Sequence, residues 1–156
     1  MLIRDATDDD AEAIAEPANG LAKVTNQGPG AMTIQKVQQG LIRGDGLSVI
    51  VGEIDGAVQG YALYSVAYET AQAARGIYLS DLYVAERARR SGLARALMAE
   101  LAQRCVADQG EFIWWIMLPG NKSAARFYAS LGARADDLAA MEISGSAFRA
   151  LLDRPL

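Results

Sequence analysis

The 156-residue sequence contains no histidine and a single cysteine, Cys105. Without histidine there is no Ser-His-Asp or Cys-His catalytic group, no histidine metal ligand and no histidine general base. One cysteine excludes an internal disulfide and a cysteine-cluster zinc site. We therefore expect no bound metal and a reducing compartment, the cytoplasm. Proton transfer is left to carboxylates, Tyr, Lys, the thiol, water or the backbone.

Long apolar runs and excess positive charge are also missing. No run approaches the roughly 18–20 apolar residues of a membrane-spanning helix, and the N-terminal residues MLIRDATDDD lack the apolar stretch of a secretory signal. The net charge is −4, which disfavours sequence-independent nucleic-acid binding because Lys and Arg must neutralise phosphates. We expect contact with neither membrane nor nucleic acid. The acidic balance favours a cationic substrate, although acidity also serves solubility.

The pattern of apolar residues and turn formers predicts one α/β domain over residues 1–156. Strands are predicted at residues 2–4, 48–51, 58–68, 77–84, 112–118 and 141–143. Helices are predicted after an N-cap at Thr7, with a break at Pro17 and Asn19-Gly20, after an N-cap at Thr33, and at residues 92–108, 123–131 and 147–152. The helix at 92–108 is expected to bury an apolar stripe of Leu93, Leu97, Leu101 and Cys105, and Gly132 is expected to end the helix at 123–131. Turn formers predict a loop at residues 26–30 and a hairpin at Asp55-Gly56. The order predicts a mixed sheet: an antiparallel meander, then a parallel strand-helix-strand unit.

The segment from Leu82 to Ala94 contains the clearest chemical signal. A strand ends, a short loop follows, and a helix begins at Gly92. The N–H groups at such a helix start form an anion site, and glycine lets a phosphate approach the backbone. Arginines, whose forks match phosphate geometry, are concentrated here: Arg87, Arg89, Arg90 and Arg95. The alternative is a solvated basic loop. Dinucleotide and P-loop motifs are absent from the sequence.

Two motifs resemble those of the GNAT superfamily of acetyltransferases. Arg89-x-x-Gly92-x-Ala94 after a Leu-Tyr-Val strand resembles their pyrophosphate-binding signature, and residues 121–133, about 30 residues further on, resemble their second motif. Residues 78–84 and 131–138 are similar to the spermidine/spermine branch, which includes thialysine acetyltransferases. The resemblance implies a GNAT-type, mostly antiparallel sheet flanked by helices, acetyl-CoA as cosubstrate, a small amine acceptor and a homodimer.

The resemblance also implies which residues hold the coenzyme. The pantetheine arm is expected to bond the backbone of the strand at Leu82, with the N–H of that residue or a neighbour stabilising the oxyanion. Asn121 either orients the coenzyme or caps the following helix. The full set of expected coenzyme residues is Leu82, Tyr83, Val84, Arg89, Arg90, Ser91, Gly92, Leu93, Ala94, Arg95, Asn121, Ser123 and Tyr128.

Three residues are candidates for catalysis: Tyr128, Asp81 and Ser80. By resemblance Tyr128 is the acid that protonates the departing thiolate, although its spacing also fits a core stripe. Asp81, or alternatively Glu53, is a candidate base acting through water, and both could equally be structural. Strand alternation places Ser80 and Leu82 on one face and Asp81 on the other. Ser80 stands where the branch carries a glutamate implicated in amine handling, so we expect a preferred amine other than spermidine.

The sequence thus predicts acetyl transfer to the primary amine of a small, cationic molecule, whether a diamine, a polyamine or an amino-acid-like compound. A protein or peptide N-acetyltransferase is an alternative that predicts an open acceptor groove. A low-turnover acyl-CoA-binding regulator is a second alternative, which the serine at position 80 supports.

Overall fold

Five strands form one sheet in the computed structural model, which describes residues 1–24 and 30–152. They lie in the order β1-β2-β3-β4-β5. The pairs β1–β2, β2–β3 and β3–β4 are antiparallel, and the pair β4–β5 is parallel. Their bounds are β1 Leu2–Asp5, β2 Ser48–Ile54, β3 Ala57–Glu69, β4 Ala74–Val84 and β5 Gly110–Trp114. The predicted mixed, mostly antiparallel sheet is confirmed. The hairpin is also confirmed, since Asp55 and Gly56 both have positive φ.

The α-helices among the described residues are α1 Ala11–Val24, α2 Ile34–Lys36, α3 Leu93–Ala107, α4 Lys122–Ala129 and α5 Gly145–Ala150. Thr33 caps α2 as predicted, because its side chain accepts from the N–H of Lys36. The chain then continues as a π-helical segment, Val37–Ile42, closed by the bond from Arg43 N–H to the Gln38 carbonyl. Of the predicted loop, residues 26–29 lie outside the described residues.

Helix α1 is continuous, so the predicted break at Pro17 and Asn19-Gly20 is wrong. A proline removes one helical hydrogen bond, but the burial of Ile14 and Ala15 in the core outweighs that loss. Asn19 does not compete with the helix backbone. Its side chain bonds instead to the N–H and the carbonyl of Met32, at 2.9 Å each.

Two strand predictions differ from the structure. The strand predicted at residues 112–118 is shifted and shorter, since β5 ends at Trp114. The strand predicted at residues 141–143 is wrong, because these residues have no regular secondary structure and are exposed. An apolar run indicates burial only when another element supplies the opposite surface, and the periodicity alone does not show this.

The two faces of the sheet carry different layers. On one face Ile14 of α1 and Val37 pack against Val51, Tyr61 and their neighbours. On the other face lies α3, whose predicted stripe is buried at Leu93, Leu97, Leu101 and Cys105. Gly52 and Gly60 are paired in register, and a Cβ on either would lie within 3.4 Å of the Leu93 side chain. These glycines let the first turn of α3 rest directly on the sheet.

Arg4 ties β1 to the turn before α1 and to β2. Its guanidinium donates to both carboxylate oxygens of Asp10, at 2.7 and 2.8 Å, and its Nε donates to Glu53 at 2.8 Å. Asp10 also accepts from the N–H of Thr7 at 2.7 Å and from its hydroxyl at 3.0 Å, which joins Thr7 to the first helical turn. Arg4 above all holds the pKa of Asp10 below its usual range. Glu53, a candidate base from sequence, is therefore engaged in a structural ion pair.

The chain divides into two compact units, Met1–Leu118 and Pro119–Leu156. The first contains the sheet with α1, α2 and α3, and the second contains α4 and α5. A single domain over the whole chain stays a prediction. Within the described ranges, no helix combines the length and apolarity needed to span a membrane.

We expect Asp10→Asn to lower the free energy of unfolding by about 1–3 kcal/mol at neutral pH, the range for hydrogen bonds to charged groups. Because the folded-state pKa of Asp10 is lowered, its contribution is present above the unfolded pKa and is lost as pH falls through the folded one. Urea unfolding at pH 7 and pH 3 measures this. Asp9→Asn is the control, since Asp9 is exposed. A deficit of equal size at both pH values would contradict the assignment.

Candidate active site

Strands β4 and β5 part halfway along β4. Their parallel pairing ends where Tyr78 meets Trp114, whose rings lie 5.4 Å apart. Strand β4 nevertheless stays paired with β3 as far as Val84. In the part of the chain that the structure describes, the β5 side of residues 79–84 therefore has no strand partner. Backbone N–H and C=O groups at such an edge can bond an extended ligand chain, and Leu82, Tyr83 and Val84 lie on this edge.

The loop after β4 is anchored to β3 and leads into α3. The N–H of Ala85 donates to the Gln59 carbonyl at 2.8 Å, and Arg87 Nε donates to the side chain of the same Gln59 at 2.6 Å. Ser91 Oγ donates to the Ala88 carbonyl at 2.7 Å and accepts from the N–H of Leu93 at 3.3 Å. These bonds fix the loop so that it arrives at the helix in one conformation.

Gly92 is the N-cap of α3 with a left-handed φ of 92°, and as a glycine it offers no capping side chain. The first N–H of the helix, that of Leu93, is bonded to Ser91 Oγ. In general the N–H groups of a first turn have no intrahelical partner and can bond an anion. A Cβ at Gly92 would meet no atom within 4 Å. Glycine is therefore needed here for its backbone conformation, and the space above it is open.

The arginines of the loop have different environments. Arg87 is committed to Gln59, whereas Arg89, Arg90 and Arg95 are exposed. Arg89 lies 3.9 Å from Glu86, an exposed pair worth little in water. Exposed arginine forks around a helix N-terminus that begins at glycine suit a phosphate-bearing ligand better than a purely structural loop. Ala94, the last residue of the motif, is half-buried.

A β-bulge in β4 decides where Asp81 and Ser80 lie. Asp81 pairs with Leu63 and Leu79 pairs with Tyr64, so Ser80 is the extra residue between them. Ser80 is exposed. Because cross-strand partners share a face, Asp81 lies on the α1 face with Leu63. Simple alternation did not predict this irregularity.

Asp81 lines a cavity of about 290 Å³ beneath α1. The second half of α1, the segment that starts at Gly30, and Lys36 provide the remaining walls, which consist of Ala18, Asn19, Leu21, Ala22, Gly30, Ala31, Met32 and Lys36. The bonds between Asn19 and Met32 hold two of these walls together. Lys36 Nζ donates to the Ala31 carbonyl at 2.8 Å. The cavity is therefore mostly apolar, with one carboxylate and one ammonium.

Burial raises the pKa of Asp81, and the nearby Tyr61 hydroxyl partly offsets the rise. Tyr61 is only 1% exposed, and its ring stacks on Tyr83 at 5.9 Å. Burial first, and then the charge of Asp81, raises the pKa of Tyr61 well above its usual range. The Tyr61 hydroxyl makes no hydrogen bond of acceptable geometry and has no partner among the described residues. Asp81 is thus a carboxylate that a bound cation would stabilise.

Sequence reasoning missed Tyr61 and Lys36. Tyr61 on β3 pairs with Tyr83 on β4, and Tyr83 is two residues from Asp81 along β4. A prediction of the strand register would therefore have placed Tyr61 near Asp81. Lys36 gave no signal, since nothing in its local pattern differs from an ordinary exposed helix residue.

In the second unit, Asn121 caps α4 by accepting from the N–H of Ala124 at 3.1 Å, which realises one of its two predicted roles. Ser123 is exposed in the first turn. Tyr128 is partly buried beside Phe127, with ring centroids 5.2 Å apart. Burial raises the pKa of Tyr128, so the hydroxyl keeps its proton at neutral pH. Gly132 follows α4 with a positive φ, as predicted.

No group of three or more His, Cys, Asp or Glu side chains in the described ranges is placed to hold a metal ion.

Known proteins share this architecture. A BH1408 protein variant from Bacillus halodurans superposes with a TM-score of 0.76 at 24% identity, covering 92% of this chain and 99% of that one. An integron cassette protein from V. cholerae gives a TM-score of 0.80 at 21% identity, with 98% of each chain covered. These similarities concern the fold.

The sequence itself matches a family and a relative. L-ornithine N5-acetyltransferase NATA1 of Arabidopsis thaliana is 30% identical over 80 residues, which are 51% of this chain and 35% of that protein. This match thus spans about a third of the relative's length. Residues 21–133 match the acetyltransferase (GNAT) family, a stretch that contains the β4 edge, the α3 N-terminus and α4. The chain therefore belongs to the acetyltransferase (GNAT) family.

Proposed function

We propose that this protein transfers the acetyl group of acetyl-CoA to the primary amine of a small cationic molecule bound in the cavity beneath α1. The observation that carries the proposal is the parting of β4 from β5 shortly before the N-terminus of α3, which begins at a glycine. An extended arm can bond the free edge of β4, while its phosphates reach the helix start.

The coenzyme contacts divide between backbone and side chains. Leu82, Tyr83 and Val84 supply backbone groups to the pantetheine arm, and the N–H groups from Gly92 onward face the pyrophosphate. Ser91 and Leu93 shape that turn through their mutual bond. Arg89, Arg90 and Arg95 add positive charge around the phosphates. Asn121 and Ser123 remain proposed coenzyme residues from the family motif.

Asp81 is proposed to receive the proton of the acceptor ammonium. The neutral amine then attacks the thioester carbonyl, forming the C–N bond, and the C–S bond breaks as the thiolate leaves. The nitrogen releases its surplus proton to water to give the amide. A carboxylate with a raised pKa is a better base than an ordinary aspartate. A cationic amine would also place a positive charge beside the half-buried carboxylate of Asp81, which supports a small cation as the acceptor. Ser80, exposed at the bulge, is left without a role in this step.

Tyr128 is proposed to donate its proton to the departing thiolate and to regain one from solvent. The support is the family motif together with the raised pKa that keeps this hydroxyl protonated. The protonated thiol and the amide then leave as products.

The acceptor class rests on three supports: the carboxylate in the cavity, its modest volume, and the relative named for acetylating L-ornithine. Small-molecule pockets usually measure about 300–1,000 Å³, so this cavity suits a short molecule. A panel of diamines, polyamines, amino acids and peptides, read by release of free thiol, tests this. Fastest turnover on a peptide would replace the proposal with a protein N-acetyltransferase. Coenzyme binding without turnover would replace it with a regulator.

A cytoplasmic homodimer that binds neither nucleic acid nor membrane is also proposed, on the resemblance, the single cysteine and the acidic charge. Size-exclusion chromatography with light scattering tests the oligomer.

Replacing Gly92 by Val is expected to weaken acetyl-CoA binding by about 1 kcal/mol or more, because the side chain occupies the space proposed for the phosphate and distorts the left-handed N-cap. Isothermal titration calorimetry measures the affinity. Gly46→Val is the matched control, since Gly46 also has a positive φ and open space around its Cβ position. Equal acetyl-CoA affinities of the folded wild type and Gly92→Val would contradict the proposal that the phosphate binds at this helix start.

Tyr128→Phe is expected to keep the fold and the coenzyme affinity and to lower kcat by about 10²–10⁴-fold, the usual contribution of one acid–base group. The phenyl ring retains the packing against Phe127, so the change isolates the hydroxyl. Steady-state thiol release across pH 6–10 is the measurement. Tyr68→Phe serves as control because Tyr68 is exposed on β3. Wild-type turnover in Tyr128→Phe at every pH would make this residue purely structural.

Asp81→Asn is expected to make the protein more stable and less active. The folded-state pKa of Asp81 is raised, so its favourable contribution is complete below the unfolded pKa and is lost as pH rises through the folded one. The asparagine amide does not titrate, so the variant does not lose this contribution. The free energy of unfolding of Asp81→Asn should therefore exceed that of the wild type by more as the pH rises. Urea unfolding and thiol release measure both effects, with exposed Asp45→Asn as control. An active and destabilised Asp81→Asn protein would exclude the proposed base.

A further inference from the structure

The cavity beneath α1 contains one charge of each sign, and the proposed reaction uses only the negative one. Asp81 enters from β4 and is half-buried, whereas Lys36 enters from α2 and is exposed. The two charges therefore belong to different walls and to different depths of the same cavity. The remaining described lining residues are uncharged.

Lys36 has donors to spare for a ligand. An ammonium carries three N–H donors, and one of them is used by the Ala31 carbonyl at 2.8 Å. That bond also holds the head group against the wall of the cavity. The Asn19 side chain on the neighbouring wall is engaged with both backbone groups of Met32. Lys36 is thus the positive group in the described lining that can meet an anionic part of an acceptor.

We propose that the acceptor carries a carboxylate at the end opposite its reactive amine, and that Lys36 binds this carboxylate while Asp81 binds the amine. The inference rests on the proposed function for the identity of the Asp81 end. It names the substrate class as amino acids with a terminal side-chain amine, together with ω-amino acids. A diamine or polyamine of the same length would place an ammonium beside Lys36 without a neighbouring carboxylate, so no attraction to Lys36 would offset the repulsion between like charges.

The experiment compares acceptors that differ only by the carboxylate. Ornithine and putrescine form one pair, and lysine and cadaverine form another; kcat/KM is measured for each by thiol release. We expect the carboxylate-bearing member to be favoured by about two- to fivefold, the effect of one exposed charge pair. An equal or reversed preference in both pairs would overturn the proposal.

Variants at position 36 test whether this lysine causes the preference. Lys36→Met should reduce the ratio within each pair towards one, Lys36→Glu should invert it, and Lys36→Arg should largely keep it. Lys23→Met is the matched control, because Lys23 is an exposed lysine on α1 that does not line the cavity. A ratio that Lys36→Met leaves at the wild-type value, or that Lys23→Met changes equally, would contradict a role for Lys36.

A binding measurement separates this inference from the proposed function. Calorimetric titration of ornithine and of putrescine into the coenzyme A complex needs no turnover. If the wild type acetylates no amine but binds ornithine more tightly than putrescine, and Lys36→Met abolishes the difference, the carboxylate site stands and the proposed reaction fails. If amines are acetylated with no dependence on Lys36 in either assay, the reaction stands and the carboxylate site fails.

Discussion

The pairing of β4 with β3 continues six residues beyond the point where β4 loses β5, from Tyr78 to Val84, and the candidate site depends on this constraint. A strand held on one side only presents backbone donors and acceptors that need partners. Water can supply them, but a ligand of extended shape supplies them in a fixed register. The loop that follows β4 delivers the chain to the N-terminus of α3, so one continuous segment offers both an edge for an arm and a turn for phosphates.

The two faces of the sheet then take separate tasks. On the α3 face, the absence of side chains at Gly52 and Gly60 lets Leu93 pack directly against the strands. This contact fixes the distance between the start of α3 and the sheet. On the α1 face, the bulge at Ser80 turns Asp81 into the cavity. The charge of Asp81 is costly to bury, whereas the charges of Arg4 and Asp10 are paired. Asp81 is therefore a candidate for function, whereas the pair of Arg4 and Asp10 stabilises the fold.

Much of the architecture followed from local patterns. The β2–β3 hairpin, the start of α3 at Gly92 and its buried stripe were predicted because each depends on residues close together in sequence. The break in α1 and the strand at residues 141–143 were predicted wrongly because tertiary contacts decide both. Pro17 is tolerated where the rest of the helix is held by the core, and residues 141–143 find no strand partner in the described part of the chain.

The sequence by itself determined the family, the order of most elements and the position of the turn proposed to bind phosphate, because the motif from Arg89 to Ala94 depends on backbone geometry that neighbouring residues impose. Only the tertiary structure decided which charged groups are available for chemistry. Glu53 is occupied by Arg4, and Asp81 faces a cavity beside Tyr61 with Lys36 on another wall. These facts depend on strand register, on a one-residue bulge and on the packing of α1. Each of them is set by contacts between residues far apart in the chain, which no local pattern contains.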